Sequence, residues 1–127
     1  MRQLWPSPVE SIVNQGHDIA VALDDAESAV ANTPYASGVS SAIAFAHQGF
    51  YHSDRAFKIV EVKEAGSAFV ELSICSDAYS KCYDVLIQLR ERPFSPRVQD
   101  ARVKVRRILL DIGILLVELK QGNDAVN

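Results

Sequence analysis

The side chains best equipped for chemistry in these 127 residues are two cysteines, Cys75 and Cys82, and three histidines, His17, His47 and His52. On a helix the cysteines would stack two turns apart, about 10 Å, which is too far to bridge. They form no C-x-x-C, no two histidines are spaced i, i+4, and no Glu-x-x-His occurs to build a di-metal carboxylate site in a helical bundle. Both cysteines also fall on an apolar helical stripe, where a free thiol behaves as a small hydrophobe. Nucleophilic and phosphate chemistry fares no better. There is no glycine-rich phosphate loop, no G-x-S-x-G elbow, no paired-carboxylate motif, and no Arg four to six residues before a His, as a helical-bundle ribonuclease would want. We therefore expect no enzyme, no catalytic residues, no metal and no cofactor.

What remains is recognition chemistry, and it is concentrated in one stretch. "RVKVRRILLDIGILLVEL", residues 102–119, opens basic and then runs through twelve residues of which only Asp111, Gly113 and Glu118 are not aliphatic. The cations Arg90, Arg92, Arg97, Arg102, Lys104, Arg106 and Arg107 cluster at its start. Several would occupy the first turns of a helix, where the macrodipole prefers anions, so helix stability does not explain them. Two roles compete. They pair with Asp24, Asp25 and Glu27 as surface bridges worth little each, or Arg92, Arg97, Arg102, Lys104, Arg106 and Arg107 receive an anionic ligand, such as an RNA backbone or an acidic partner.

The aliphatic part carries two stripes. Val98, Ala101, Val105, Ile108, Ile112, Leu115 and Leu119 repeat every three or four residues, as one buried helix face must. Val103, Leu110, Ile114 and Val117 form a second stripe on another face. A helix apolar all round is buried all round. In a lone bundle the second stripe would face water, so Val103, Leu110, Ile114 and Val117 are expected at a subunit or partner interface, unless long neighbouring side chains or the "QLWP" arm with Trp5 fold over them.

The elements that must present these residues are marked by repeated punctuation. Ser7-Pro8, Thr33-Pro34 and Ser95-Pro96 each offer a capping oxygen followed by a residue whose missing N–H costs nothing in a first turn. Glu10 would complete a capping box with Ser7. Gly66 suits a left-handed cap, with Ser67 starting the next helix, and Gly122 is expected to stop the last. Between these marks the apolar spacing is helical: Val9, Ile12, Ile19, Leu23, Ala26 and Val30; Val39, Ile43, Ala46, Phe50, Phe57 and Val60; Ala68, Leu72, Cys75, Tyr79, Cys82, Leu86 and Leu89. The expectation is an all-α chain, one domain over residues 1–127, with helices at about 8–31, 34–64, 67–91 and 96–121. Short turns make it an up-down-up-down antiparallel four-helix bundle. The rival is a hairpin, because "FKIVEV" and "AFVELSIC" flank "KEAGS" and alternate well enough for strands. Ser53-Asp54 could also divide the second helix.

Composition bounds the setting. The net charge is −3, with four Lys/Arg against eight Asp/Glu in residues 1–64 and nine against eight in residues 65–127. The apolar run at 108–119 is shorter than the roughly 20 residues of a spanning helix, so no membrane is expected. "MRQLWPSPVE" lacks the apolar core of a signal peptide and the cysteines read as reduced, which together suggest the cytoplasm.

Residues 43–75, "IAFAHQGFYHSDRAFKIVEVKEAGSAFVELSIC", resemble a four-helix-bundle family. That family includes proteins encoded in intervening sequences of large-subunit ribosomal RNA genes and accessory variability proteins of diversity-generating retroelements. The resemblance is carried by Ile43, Ala46, Gly49, Phe50, Ser53, Asp54, Phe57, Gly66, Ser67 and Glu71, with His47-Gln48 where the family usually has Glu before the Gly. It implies a ring-like oligomer, and for the retroelement members association with a reverse transcriptase and RNA.

The expected function is thus a non-enzymatic, self-associating accessory or scaffold bundle. It would bind itself, an unidentified protein partner and, through its basic pole, structured RNA. The alternative is a monomeric inhibitor, immunity or chaperone protein that holds one toxin or client on its fourth helix.

Overall fold

The computed structural model describes residues 6–61, 65–89 and 95–126. They form four helices: α1 (Pro6–Ala29), α2 (Ala36–Glu61), α3 (Ala65–Gln88) and α4 (Pro96–Val126). Each helix packs on its two neighbours in the order α1, α2, α3, α4 and back to α1, so the backbones of diagonal helices do not meet. This is the up-down-up-down bundle, and the described residues contain no strand. The hairpin is excluded for residues 57–61 and 65–75, which are helical, while residues 62–64 lie outside the described residues.

Local chemistry explains two of the helix starts. The Val98 N–H donates to Ser95 Oγ at 3.4 Å and the Gln99 N–H to the Ser95 carbonyl at 3.2 Å, so Ser95 caps α4 with Pro96 in its first position. Before α2, the Tyr35 N–H donates to Thr33 Oγ1 at 3.2 Å, while the Thr33 hydroxyl donates back to the Val30 carbonyl. The turn between α1 and α2 depends on Asn32, which adopts φ of 66°. Asn tolerates that left-handed conformation better than any other residue with a β-carbon.

Several expected boundaries are corrected. α1 spans residues 6–29, not 8–31, so Ser7 falls within its first turn, one residue after Pro6. α2 begins at Ala36, two residues after Pro34, because the Thr33 turn comes first, and runs to Glu61; residues 62–64, expected in the same helix, lie outside the described residues. Ser53 does not break it: its hydroxyl donates to the Phe50 carbonyl at 2.8 Å, the back-bond that lets a buried Ser sit inside a helix. α3 begins at Ala65 and ends at Gln88, so Gly66 is within its first turn, and no glycine described has positive φ. α4 continues through Gly122 to Val126; a helical Gly costs only about 1 kcal/mol relative to Ala and need not stop a helix.

The expected stripes of α1 and α4 are buried in full: Val9, Ile12, Ile19, Leu23, Ala26 and Val30 face Val98, Ala101, Val105, Ile108, Ile112, Leu115 and Leu119. α2 differs. Its buried face consists of Val39, Ala42, Ala46, Gly49, Ser53 and Ala56, whereas Ile43, Phe50 and Phe57 are only half-buried at its edges. Small residues let α3 come close, and the largest fully buried side chain, Tyr79, fills the space. A β-carbon on Gly49 would lie 2.6 Å from Tyr79 Cε2, and one on Gly16 would lie 2.8 Å from the Tyr79 hydroxyl oxygen. Tyr79 therefore crosses the core from α3, over α2, to α1.

Candidate functional site

The bundle leaves α4 with an outward face. Val103, Leu110, Ile114 and Val117 are 59%, 61%, 62% and 56% exposed, so nothing among the described residues covers the second stripe. Arg106 and Arg107 lie between Val103 and Leu110 on the same side of the helix, both exposed and without an ion pair among the described residues. Gly113 belongs to this face too, and a β-carbon there would meet nothing within 4 Å.

The basic cluster is less uniform than its sequence. Lys104 is paired with Asp100 of the preceding turn at 3.5 Å, and Arg102 is half-buried with Nε and Nη2 enclosed. Arg97, Arg106 and Arg107 are the exposed members. Arg90 and Arg92 lie outside the described residues. The described ion pairs include none between α1 and α4, and Glu27 instead accepts from Ser40 of α2 at 2.9 Å.

Beside the stripe runs a shallow groove of about 200 Å³ between α1 and α4, lined by Pro8, Ser11, Ile12, Asp111, Ile114, Leu115 and Glu118. Asp111 is held there by Gln15, whose Nε2 donates to Oδ2 at 2.8 Å. Glu118 is exposed and makes no ion pair among the described residues. A carboxylate without an ion pair among the described residues therefore stands about three turns beyond two such arginines, with aliphatic side chains between.

A second polar constellation joins α2 to α3. His52 Nδ1 is 2.7 Å from Glu71 Oε1, and Arg55 Nε donates to Glu71 Oε2 at 3.1 Å. The Arg55 guanidinium also lies 5.7 Å from the centre of the Tyr51 ring. These hydrogen bonds, His52 first and then Arg55, hold the Glu71 carboxyl below its usual range despite partial burial. In the sequence Glu71 stood out only through the family resemblance, His52 only as a metal-ligand candidate that was set aside, and Arg55 not at all. The signal in the residues was the pairing of His52 and Arg55, one turn apart on α2, with a lone carboxylate early in α3.

The chain matches no family model, no curated protein and no solved structure.

The cysteines occupy the core. Burial pushes both the Cys75 and the Cys82 thiol up to about 12, far from the range in which a thiolate would react. Among the described residues no three His, Cys, Asp or Glu side chains are placed to hold a metal ion, and no helix is long and apolar enough to cross a membrane.

Proposed function

We propose that this protein is a non-enzymatic helical scaffold of the cytoplasm that associates with itself and offers the resulting assembly to a protein partner. The observation that carries this reading is the uncovered stripe on α4, four aliphatic side chains each more than half exposed along one face. Scattered apolar residues are normal on a surface, but a contiguous row rimmed by charges marks an interface. Self-association is also what the resemblance of residues 43–75 implies.

The arginines favour protein over nucleic acid. Arg106 and Arg107 are embedded in the apolar row instead of forming a separate basic track, and Lys104 is already paired with Asp100. Arg and aliphatic side chains together are typical of a protein interface core and its rim.

Light scattering after size exclusion, at low and high salt, tests the reading. The intact chain should run as a stable oligomer, and Leu110→Asp combined with Ile114→Asp should give a smaller, still helical species. An unchanged mass for that variant refutes the interface. A clean monomer for the unaltered chain refutes self-association and points to a client held on the same stripe. Salt-sensitive RNA binding that is lost in Arg97→Glu with Arg106→Glu would return the basic pole to nucleic acid.

A further inference from the structure

The face of α4 has a charge pattern that fits a second copy of itself in one orientation. Arg107, Asp111, Ile114 and Glu118 follow one another at spacings of four, three and four, so they lie along a single ridge, the one that borders the groove against α1. Arg106, Leu110, Gly113 and Val117 follow the neighbouring ridge at the same spacings, on the side away from α1. Among the described residues the first ridge has a cation without an ion pair at its beginning and a carboxylate without one at its end, with Asp111, held by Gln15, and Ile114 between them.

Resting on the reading that the stripe is a self-association surface, we infer that two copies pack α4 against α4 antiparallel, about a two-fold axis level with Ile112 and Gly113. In that arrangement Leu110 of each copy meets Ile114 of the other. Arg107 of each reaches Glu118 of the other at the end of the α1–α4 groove. A two-fold axis lying across the helices keeps the α1 side of one copy on the α1 side of the other, so the two ridges that must meet do meet. Arg107 and Glu118 are eleven residues apart, or about 16 Å, which places the two reciprocal contacts about 8 Å either side of the axis. On the other flank Arg106 lays its stem along Val117 of the second copy, as long cationic side chains do on apolar surface. The two Gly113 residues face one another near the axis, where the absence of a side chain leaves room for the helices to approach.

A parallel pairing is excluded by the same residues. It would bring Arg106 and Arg107 of both copies to one level, four guanidinium groups together, and leave both Glu118 carboxylates on opposite flanks, about three turns from any of those arginines. Like charges placed opposite one another in a contact disfavour it.

The test is a charge exchange read by sedimentation equilibrium of the whole chain, with far-UV circular dichroism and a melting curve to establish that each variant folds. The unaltered chain should be a dimer. Arg107→Glu and Glu118→Arg should each weaken the dimer at least tenfold, and the two combined should return it to within about threefold. Singles that leave the dimer unchanged, or a combination that does not recover, overturn the pairing. So does an assembly larger than two, which would keep self-association and reject this geometry. A monomer at every concentration rejects both. Oxidative cross-linking gives a second readout that does not depend on charge. Gly113→Cys should yield a covalent dimer and Val103→Cys should not, since about 28 Å separates the two copies of residue 103 in this pairing. Cross-linking at 103 would show the helices to be parallel. The native Cys75 and Cys82 are buried and do not compete.

Discussion

His52 Nδ1 stands 2.7 Å from Oε1 of Glu71, and through that contact the middle of α2 is tied to the first turns of α3. Arg55 completes the arrangement from one turn further along α2, donating to the other carboxylate oxygen at 3.1 Å. Both oxygens of a largely enclosed carboxylate are thus used by one neighbouring helix, and the charge is kept where burial would otherwise disfavour it.

The pH dependence of stability follows from this. Because Glu71 is held below its usual range in the folded chain, its contribution is complete above the unfolded carboxylate range and is lost as pH falls through the lowered value. Glu71→Gln should lower stability at neutral pH and flatten the acid limb of a urea-midpoint profile taken from pH 7 to pH 2. An acid limb as steep in Glu71→Gln as in the unaltered chain would show that other carboxylates govern acid unfolding.

The Tyr79 hydroxyl is buried and has no hydrogen-bond partner among the described residues. Leaving a hydroxyl unsatisfied in a core costs on the order of 1–3 kcal/mol. Tyr79→Phe keeps the ring and removes the cost, so it should raise stability by about 1 kcal/mol in urea titration. A loss of stability would mean that the hydroxyl is satisfied in solution.

Two glycines of α2 should respond oppositely to Ala. At Gly49 the new methyl would meet Cε2, Cδ2 and Cζ of the Tyr79 ring at 2.6 to 2.8 Å, and the ring is enclosed and cannot yield. Overpacking of this kind costs about 1–3 kcal/mol. At Gly38 the obstacle is Cδ2 of Leu89, also at 2.6 Å, but Leu89 is half-buried at the end of the bundle and can rotate away. Gly38→Ala should be within about 1 kcal/mol of neutral, since the gain in helix propensity offsets the adjustment. Thermal melts of the two variants give the comparison directly.

Cys75 and Cys82 should be inert to a thiol reagent at pH 8 under native conditions and react together when the bundle opens. Both are fully buried on the face of α3 that meets the core, and burial pushes both thiols up to about 12. Labelling with a chromogenic disulfide should therefore follow the urea unfolding curve. Rapid modification of either residue without denaturant would place it at a surface.

The legibility of this molecule in its residues varies helix by helix. α4 was readable because its aliphatic positions are large and β-branched or γ-branched, so that both the buried stripe and the exposed one stand out by spacing alone. α2 was not. Reading by size led to Ile43, Phe50 and Phe57, yet the helix buries Ala42, Gly49, Ser53 and Ala56, because here packing is set by how closely α3 can approach and a large side chain would hold it off. Glycine misled in the same way: Gly66 and Gly122 looked like stops, but among the described residues only Asn32 takes the left-handed conformation. The α1–α4 groove and the His52–Glu71 contact are relations between distant segments, and periodicity along one helix carries no information about which side chain of a neighbour stands opposite.

The placement of Tyr79 between Gly16 and Gly49 also answers how the bundle avoids sliding. Helices with smooth apolar faces can shift along one another by a turn at little cost, as knobs simply find the next hole. Here a one-turn shift of α1 would bring Ile12, Val13, Ile19 or Ala20 under the hydroxyl, and a similar shift of α2 would bring Phe45, Ala46, His52 or Ser53 under the ring, so each position on either side of the two glycines carries a side chain where none fits. One aromatic key and two notches select a single alignment of three helices, and with it the level at which every outward residue of the molecule is displayed.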